Sequence, residues 1–249
     1  MSICIRLFCI FAMSSLFAGE SFVVGTTSGY APFVSLNQQG EYVGFDIDLA
    51  KALADKLDST LVLKDLGSMP SLLLALKQGK IDAIIWAMSI TQERQKQMEM
   101  IYYQGEKELT LPLLFWKEIP EENTSLEALA KDAGAIVCAE AGSFQEGVLQ
   151  KVPGLHLKQV DKVMDAILEI KYGKARCTAI DPSLVPGAVQ QFKEIKVLEV
   201  PLSEEDRSLG NGICVNKNQS LLAERIRKSV ADLQADGTIE QLEKKWKLK

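Results

Sequence analysis

Apolar and polar positions along the chain alternate with two periods, and each period predicts one kind of element. Apolar or β-branched runs of about four to eight residues predict strands, whereas apolar residues spaced by three or four positions predict helices. In the first part of the chain, these patterns predict strands at 21–25, 60–65 and 83–88 and helices at 46–57, 69–78 and 91–98. This alternation favours an α/β fold with mostly parallel sheets.

The same order of elements starts again after residue 106. The pattern predicts an apolar run at 109–116, strands at 135–139 and 177–180, helices at 125–131, 142–150 and 162–172, and terminal helices at 221–233 and 239–246. The segment LKQGKIDAIIWAMS has a counterpart, IKYGKARCTAIDPS, and both predict a helix, a glycine turn, a buried strand and a polar residue. The chain is therefore predicted to form two similar lobes.

The composition excludes several classes of protein. Hydrophobic residues make up 47% and charged residues 24% of the chain, as in soluble globular proteins. The net charge of -5 and the mixing of cations with acids argue against a nucleic-acid partner. The one histidine, His156, follows Pro153 and Gly154 and is expected at the surface, so we expect no metal site. The chain has no phosphate-binding glycine loop, and no cofactor is expected.

Residues 1–18 have the features of a secretory signal peptide. A single cation, Arg6, precedes an apolar run at 7–13, and small residues lead to the predicted cut near Ala18 and Gly19. The apolar run is too short to span a bilayer. No cysteine follows the cut, which argues against a lipid anchor, so the mature protein is predicted to be periplasmic.

Three cysteines remain after the predicted cut, and all lie on strand-like segments: Cys138, Cys177 and Cys214. Their expected role is that of small buried apolar residues. A bridge between Cys138 and Cys177 stays open, because spacing alone does not determine disulfide geometry.

Arg94 is the strongest candidate for a functional residue. It follows Ser89 and Thr91 at the end of a buried strand, and ligands of open α/β sheets bind beyond the carboxyl ends of the strands. A guanidinium there suits a small carboxylate, which it grips by paired hydrogen bonds. The alternative is a solvated arginine that pairs with Glu93 or Glu99.

Asp181 ends the equivalent strand in the second half of the chain. Its carboxylate would pair with an α-ammonium group, or alternatively cap a turn with Pro182. Arg94 and Asp181 would place opposite charges across a cleft, so that ligand binding and lobe closure become one event. Gly142 and Ser143 begin a helix, and their backbone amides are expected to help hold a carboxylate.

Aromatic residues lie at or after the ends of predicted strands: Tyr30, Phe33 and Trp86. Facing aromatic rings can sandwich a guanidinium group, although core packing is the more common role of any one ring. Glu140 precedes Gly142 and is a candidate counter-charge, with an exposed loop acid as the alternative.

These residues lie in segments by which the chain resembles the polar amino-acid solute-binding proteins of bacterial ABC importers, including the periplasmic arginine-binding proteins. The strongest blocks are GTTSGYAPF (25–33), GEYVGFDIDLAKAL (40–53), KIDAIIWAMSITQERQKQM (80–98) and ADGTIEQLEKKW (235–246). The resemblance implies the fold of a type II periplasmic binding protein, which has two α/β lobes and a two-strand hinge. Lobe 1 would comprise residues 19–107 and 204–249, and lobe 2 residues 108–203.

The resemblance also implies roles for individual residues. Arg94 would bind the ligand's α-carboxylate with help from Ser89 and the backbone near Ser143, and Asp181 would hold the α-ammonium. Tyr30 and Met69 would flank the side-chain pocket.

The chain departs from its apparent relatives at three places in the pocket. Thr27 stands where binders of basic side chains often have an acid, Trp86 and Ala87 stand where small hydroxyl residues are common, and Phe144 follows Gly142-Ser143 in place of a second threonine. Arginine fits aromatic walls with Glu140 as the counter-charge, and a neutral ligand such as glutamine stays open.

Transport is the leading function, with an amino acid as ligand and a membrane permease as partner. A second hypothesis is an enzyme similar to cyclohexadienyl dehydratases, because a few relatives became dehydratases. A third hypothesis is a ligand sensor that acts through a receptor. A monomer is the expected state.

Overall fold

The structure is a computed structural model that describes residues 20–249. The predicted signal peptide at 1–18 and its cut near Ala18 lie outside the described residues.

The described residues form alternating strands and helices. The strands are β1 (Ser21–Thr26), β2 (Ser35–Leu36), β3 (Tyr42–Val43), β4 (Thr60–Asp65), β5 (Ala83–Ile84), β6 (Met98–Gln104), β7 (Thr110–Trp116), β8 (Ile136–Glu140), β9 (His156–Val160), β10 (Cys177–Ala179), β11 (Ile195–Pro201) and β12 (Asn211–Asn216). The helices are α1 (Phe45–Lys56), α2 (Met69–Lys77), α3 (Gln92–Gln97), α4 (Leu126–Lys131), α5 (Phe144–Leu149), α6 (Val163–Lys171), α7 (Val185–Gln191), α8 (Ser220–Ala235) and α9 (Thr238–Lys245). Short 3-10 turns lie at Pro182–Leu184 and Glu204–Asp206.

The first sheet has the strand order β4-β1-β5-β12-β6. β1 pairs in parallel with β4 and β5, while β12 runs antiparallel to β5 and β6. Four strands therefore run in one direction and one runs against them. Apolar faces of α1, α2, α8 and α9 join this sheet in one core. The strand β12 comes late in the chain, so both ends of the described chain belong to this half of the molecule.

The second sheet has the order β11-β7-β10-β8-β9. β8 pairs in parallel with β9 and β10, and β7 runs antiparallel to β10 and β11. One cluster of buried side chains contains Leu113 and Val137, and a second contains Leu114 and Ile180, so both faces of the sheet are covered. Covered faces are typical of α/β sheets built by helical crossovers. The predicted α/β class and two-lobed architecture are confirmed.

Two segments connect the sheets, residues 105–109 between β6 and β7 and residues 202–210 between β11 and β12. We call them the crossings. They lie side by side, since Leu202 N donates to Leu109 O at 2.9 Å. Gly210 has a φ of 85°, and a Cβ there would lie 2.9 Å from Gly105 O, so the close approach of the crossings requires glycine. The hinge and the lobe boundaries at 107/108 and 203/204 stay predictions.

The repeated segments have the predicted order of elements. In both, a helix ends before a glycine with positive φ, Gly79 in one and Gly173 in the other, and a strand follows, β5 and β10 respectively. The predicted strand at 83–88 is shorter than expected, because β5 ends at Ile84. Helix α1 begins one residue earlier than predicted, after Gly44, so Asp46 lies in its first turn and is not its cap.

The cysteines are free and buried. On the parallel strands β8 and β10, Cys177 lies opposite Val137 and Cys138 lies opposite Thr178. Neighbouring residues of a strand point to opposite faces, so Cys138 and Cys177 lie on opposite faces of the sheet. This register excludes the bridge that the sequence left open.

Candidate functional site

A small cavity lies between the two sheets, where the end of β5 meets the ends of β8 and β10. Of the candidate residues that the sequence analysis selected, Thr27, Phe33 and Gly142 do not line it, and ten do. Those ten are Tyr30, Met69, Trp86, Ala87, Ser89, Arg94, Glu140, Ser143, Phe144 and Asp181. Residues that are far apart in the chain, from both lobes, are thus brought to one place. Thr27 is buried but does not line the cavity.

The cavity has a volume of about 10 Å³, which is roughly the room that one water molecule needs. An amino acid is many times larger. It can therefore reach these side chains only if the lobes separate or the side chains move. Lobe separation is the simpler route, because the walls belong to two sheets and, within residues 20–249, the backbone passes from one sheet to the other at the two crossings only.

Arg94 lies in the first turns of α3 and reaches across the cavity. Its Nη1 donates to Ser89 O at 2.8 Å and its Nη2 donates to Gly142 O at 2.9 Å, so that it joins the two lobes. Thr91 caps the helix, because its Oγ1 accepts from Arg94 N. Burial lowers the pKa of Arg94. A guanidinium has five donors, and three remain for other acceptors.

Asp181 follows β10 and is 7% exposed. Its Oδ1 accepts from Ser183 N at 2.8 Å and also from the Ser183 hydroxyl, so the residue does cap the turn with Pro182. Asp181 therefore caps this turn and also lines the cavity. The two roles considered from the sequence, a turn cap and a ligand contact, do not exclude each other. Burial raises the pKa of Asp181, as expected for a carboxylate that is removed from water.

Glu140 ends β8 and is 6% exposed, which excludes the exposed loop acid that the sequence left open. Burial raises its pKa to about 8, and the charges of Asp181 and Asp161 contribute to the shift. Burial and the charges of Asp181, Glu140 and Glu108 raise the pKa of Tyr30 as well. The cavity is therefore rich in acids, and Arg94 is the one cationic side chain among the described residues that line it.

The aromatic side chains are arranged differently from the predicted sandwich. The rings of Tyr30 and Trp86 lie 5.1 Å apart at 55°. A planar group between two rings needs about 7 Å, twice an optimal carbon contact. The two rings therefore contact each other and form a single wall. Nε1 of Trp86 is buried and has no hydrogen-bond partner within residues 20–249.

The backbone amides of Gly142 and Ser143 are not free, contrary to the prediction. Gly142 N donates to the Glu146 carboxylate, and Ser143 N donates to Glu140 O at 3.1 Å. The Ser143 hydroxyl caps α5 by accepting from Glu146 N. A Cβ at Gly142, whose φ is 77°, would lie 2.9 Å from Cγ of Met69, so the lobes touch at this glycine.

A buried network shapes the segment after β5. Ala87 has a φ of 42°, which is uncommon for a residue with a side chain. Its N–H donates to Asp46 Oδ2 at 2.7 Å, and the other carboxylate oxygen accepts from the Tyr103 hydroxyl at 2.8 Å. Burial raises the pKa of Asp46 to about 7. Asp46 thus holds Ala87, and with it the neighbouring Trp86 and Ser89, in a defined place.

Sequence reasoning missed three residues of the site. Met88 and Gln145 line the cavity, and Glu108 of the first crossing lies beside it, with Oε1 accepting from Ser89 Oγ at 3.3 Å. Gln145 directly follows Phe144 in the first turn of α5, and this position next to a selected residue was the one sign in the sequence that it could belong to the site. Burial raises the pKa of Glu108 to about 7.

The described residues contain neither a cluster of metal ligands nor a helix that could span a membrane. Within residues 20–249, no group of three or more His, Cys, Asp or Glu side chains is placed to hold a metal ion. None of the described helices is long and apolar enough to cross a membrane.

Comparisons with known proteins agree with this geometry. Residues 22–249 match the model of the bacterial extracellular solute-binding proteins, family 3. The "Probable ABC transporter arginine-binding protein ArtJ" of Chlamydia trachomatis is 34% identical over 229 residues, which are 92% of this chain and 86% of that protein.

Two solved structures are similar over nearly the whole chain. An ancestral arginine-binding protein bound to arginine is 31% identical, with a TM-score of 0.79, over 92% of this chain and 99% of that one. An ancestral arginine-binding protein bound to glutamine is 32% identical, with a TM-score of 0.78, over 91% of this chain and 97% of that one. This chain belongs to the bacterial extracellular solute-binding proteins, family 3.

Proposed function

We propose that the protein is the periplasmic substrate-binding protein of an ABC amino-acid importer, with L-arginine or another basic amino acid as its ligand. The observation that carries the proposal is the contact of Arg94 in lobe 1 with Gly142 O in lobe 2, beside the buried acids Asp181 and Glu140. A ligand with both charges would bind to both lobes at once and stabilise their closure.

Each charged group of arginine has a complementary side chain. Arg94 would bind the α-carboxylate, with Ser143 nearby. Asp181 would bind the α-ammonium, together with the hydroxyl oxygen of Ser89, whose proton is donated to Glu108. The guanidinium would lie along the wall of Tyr30 and Trp86.

Glu140 would supply the counter-charge of the guanidinium, while Met69 and Phe144 close the pocket. Burial raises the pKa of Glu140 to about 8, and a ligand cation bound beside it would favour its ionised form and pair with it. This charge balance favours a basic ligand. Glutamine is the second candidate, because the similar ancestral protein has been solved with glutamine bound.

The motion we propose is a rotation of lobe 1 (19–107 and 204–249) against lobe 2 (108–203) at the two crossings. The closed form would be recognised by a permease in the inner membrane, after export directed by residues 1–18. The family binds solutes, so no turnover of the ligand is expected.

Isothermal titration tests the proposal directly. The mature chain is unfolded to remove co-purified ligand, refolded, and titrated with arginine, lysine, ornithine, histidine and glutamine. The proposal predicts tight binding of arginine and weaker binding of glutamine. Binding of glutamine alone would contradict the basic ligand, and no binding of any of the five would contradict an amino-acid importer.

A further inference from the structure

Glu108 is a half-buried acid of the first crossing that the proposed ligand contacts do not use. Its Oε1 accepts from the hydroxyl of Ser89 at 3.3 Å. Its Oε2 is buried and has no hydrogen-bond partner within residues 20–249. An acceptor left in this way costs free energy, and a role in ligand binding would offset that cost.

Glu108 is connected to the cavity through Ser89. Ser89 lines the cavity, whereas Glu108 lies in the neighbouring groove on the side of Asp181. A serine hydroxyl has one proton, and Ser89 gives it to Glu108, so the lone pairs of Ser89 Oγ are left to accept. The carbonyl of the same serine accepts from Arg94. Ser89 is therefore held between an acid and the residue that would bind the carboxylate.

The charges around the cavity are unequal. Glu108, Glu140 and Asp181 supply three carboxyl groups, and Arg94 supplies one cation among the described residues that line the cavity, with Lys162 acting on Glu140 from outside it. Arginine would add a net charge of about +1, while glutamine would add none. A cationic amino acid therefore offsets the excess of buried acids better than a neutral one.

We propose that Glu108 is a positioning residue that sets specificity at the amino-acid site. Through Ser89 it keeps an accepting oxygen turned towards the ligand's α-ammonium, and its charge favours cationic over neutral amino acids. The inference rests on the proposed function and assigns a residue of the crossing to that site.

The geometry has a consequence for pH dependence. The groups that face Glu108 are Asp181 after β10, Arg94 on α3 and the hydroxyls of Ser89 and Ser208, with Tyr30 nearby. Burial raises the pKa of Glu108 to about 7, and Asp181 contributes to the shift. A bound cation favours the ionised carboxyl. Arginine affinity should therefore rise as the pH increases from 6 to 8, and Glu140 should contribute to the same rise.

The test compares Glu108→Gln with Glu106→Gln by isothermal titration of refolded protein between pH 6 and 8. Glu106 lies in the same crossing but is exposed, so its variant removes one charge without touching the site. We expect E108Q to weaken arginine binding about tenfold or more, from the loss of a charged hydrogen-bond partner. Glutamine binding should weaken less, and the rise with pH should become shallower. E106Q should match the wild type.

A double-mutant cycle with Ser89→Ala tests the route. In the S89A background, E108Q should cost less arginine affinity than it does in the wild type, because the part transmitted through Ser89 is already lost while the effect of the charge remains. Additive losses would overturn the route through Ser89. If E108Q does not fold, Glu108→Asp replaces it, because it keeps the charge but moves the carboxylate away from Ser89. This variant should bind arginine more weakly than the wild type and should still prefer arginine over glutamine.

Three outcomes overturn the assignment. The first is an E108Q variant with unchanged arginine affinity and pH profile. The second is equal weakening of arginine and glutamine with an unchanged pH profile, as a merely structural residue would give. The third is wild-type protein that binds none of the amino acids, which overturns the proposed function as well and is seen before any variant is made.

Discussion

The two halves of the site are built alike and carry opposite charges. In the first half, α2, Gly79 and β5 lead to Ser89 and the cation Arg94, while in the second half, α6, Gly173 and β10 lead to the anion Asp181. In the first half, Asp46 also fixes the segment after β5, because its carboxylate accepts a hydrogen bond from the backbone N–H of Ala87. The second half has a turn capped by its own acid. One architecture, used twice, thus places a cation and an acid from different lobes at one cavity, where the proposed zwitterionic ligand would join them.

The largest effect is expected from Arg94→Ala. Truncating one partner of a buried charge pair costs about 2–5 kcal/mol, so amino-acid affinity should fall by about 30-fold or more in isothermal titration. Arg94→Lys should also bind weakly, because an ammonium lacks the planar fork. Arg227→Ala is the control, since Arg227 is exposed and pairs with Glu99. An unchanged amino-acid affinity in R94A would show that the cation of the first half does not bind the ligand's carboxylate.

Asp181→Asn tests the anionic side and should have a smaller effect. Asparagine caps turns about as well as aspartate, so the contacts to Ser183 can persist while the charge is lost. Arginine affinity should fall about tenfold or more, as for loss of a charged hydrogen bond. Asp165→Asn, at an exposed position of α6, is the matched control. An affinity equal to that of the wild type would show that the α-ammonium binds elsewhere.

The smallest effect concerns the stability of the ligand-free protein. Burial raises the pKa of Glu140 to about 8 and that of Glu108 and Asp46 to about 7. In the unfolded chain these groups ionise near pH 4. Between about pH 4 and pH 7 to 8, the folded state therefore binds more protons than the unfolded state. Their contribution to stability is present below pH 4 and is lost as the pH rises through 7 and 8.

The free energy of unfolding, measured with urea, should therefore decrease from pH 5 to pH 8. Glu140→Gln should flatten the upper part of this decrease, and Glu106→Gln should leave it unchanged. A stability that increases over this range would show that the buried acids are not the dominant titrating groups.

Much of the fold could be predicted because its helices and inner strands have clear periods. The strand β6 was missed because it begins directly after α3, so its start was assigned to the helix. Edge strands such as β9 are half-exposed and have only a weak apolar pattern. Cys214 was the one indication of β12. Pairing register, which separates Cys138 from Cys177, depends on strand contacts that a single sequence does not contain.

The residues of the site also fall into two groups, those that could be predicted from the sequence and those that could not. Arg94, Ser89 and Asp181 could be predicted because each lies near the end of a recognisable strand. Glu108 could not, because the segment GEKE reads as a charged loop and its burial depends on packing of the two crossings. The contact between Tyr30 and Trp86 likewise depends on side-chain directions, which set one wall where the sequence suggested two.

The most direct test of the central claim is a titration with arginine and two of its analogues. Agmatine lacks the carboxylate that Arg94 would bind, and 5-guanidinovalerate lacks the ammonium that Asp181 would bind. If the ligand joins the two halves by both charges, arginine binds and each analogue binds at least about tenfold more weakly, as expected for loss of a charged hydrogen bond. An analogue that binds as tightly as arginine would contradict the account.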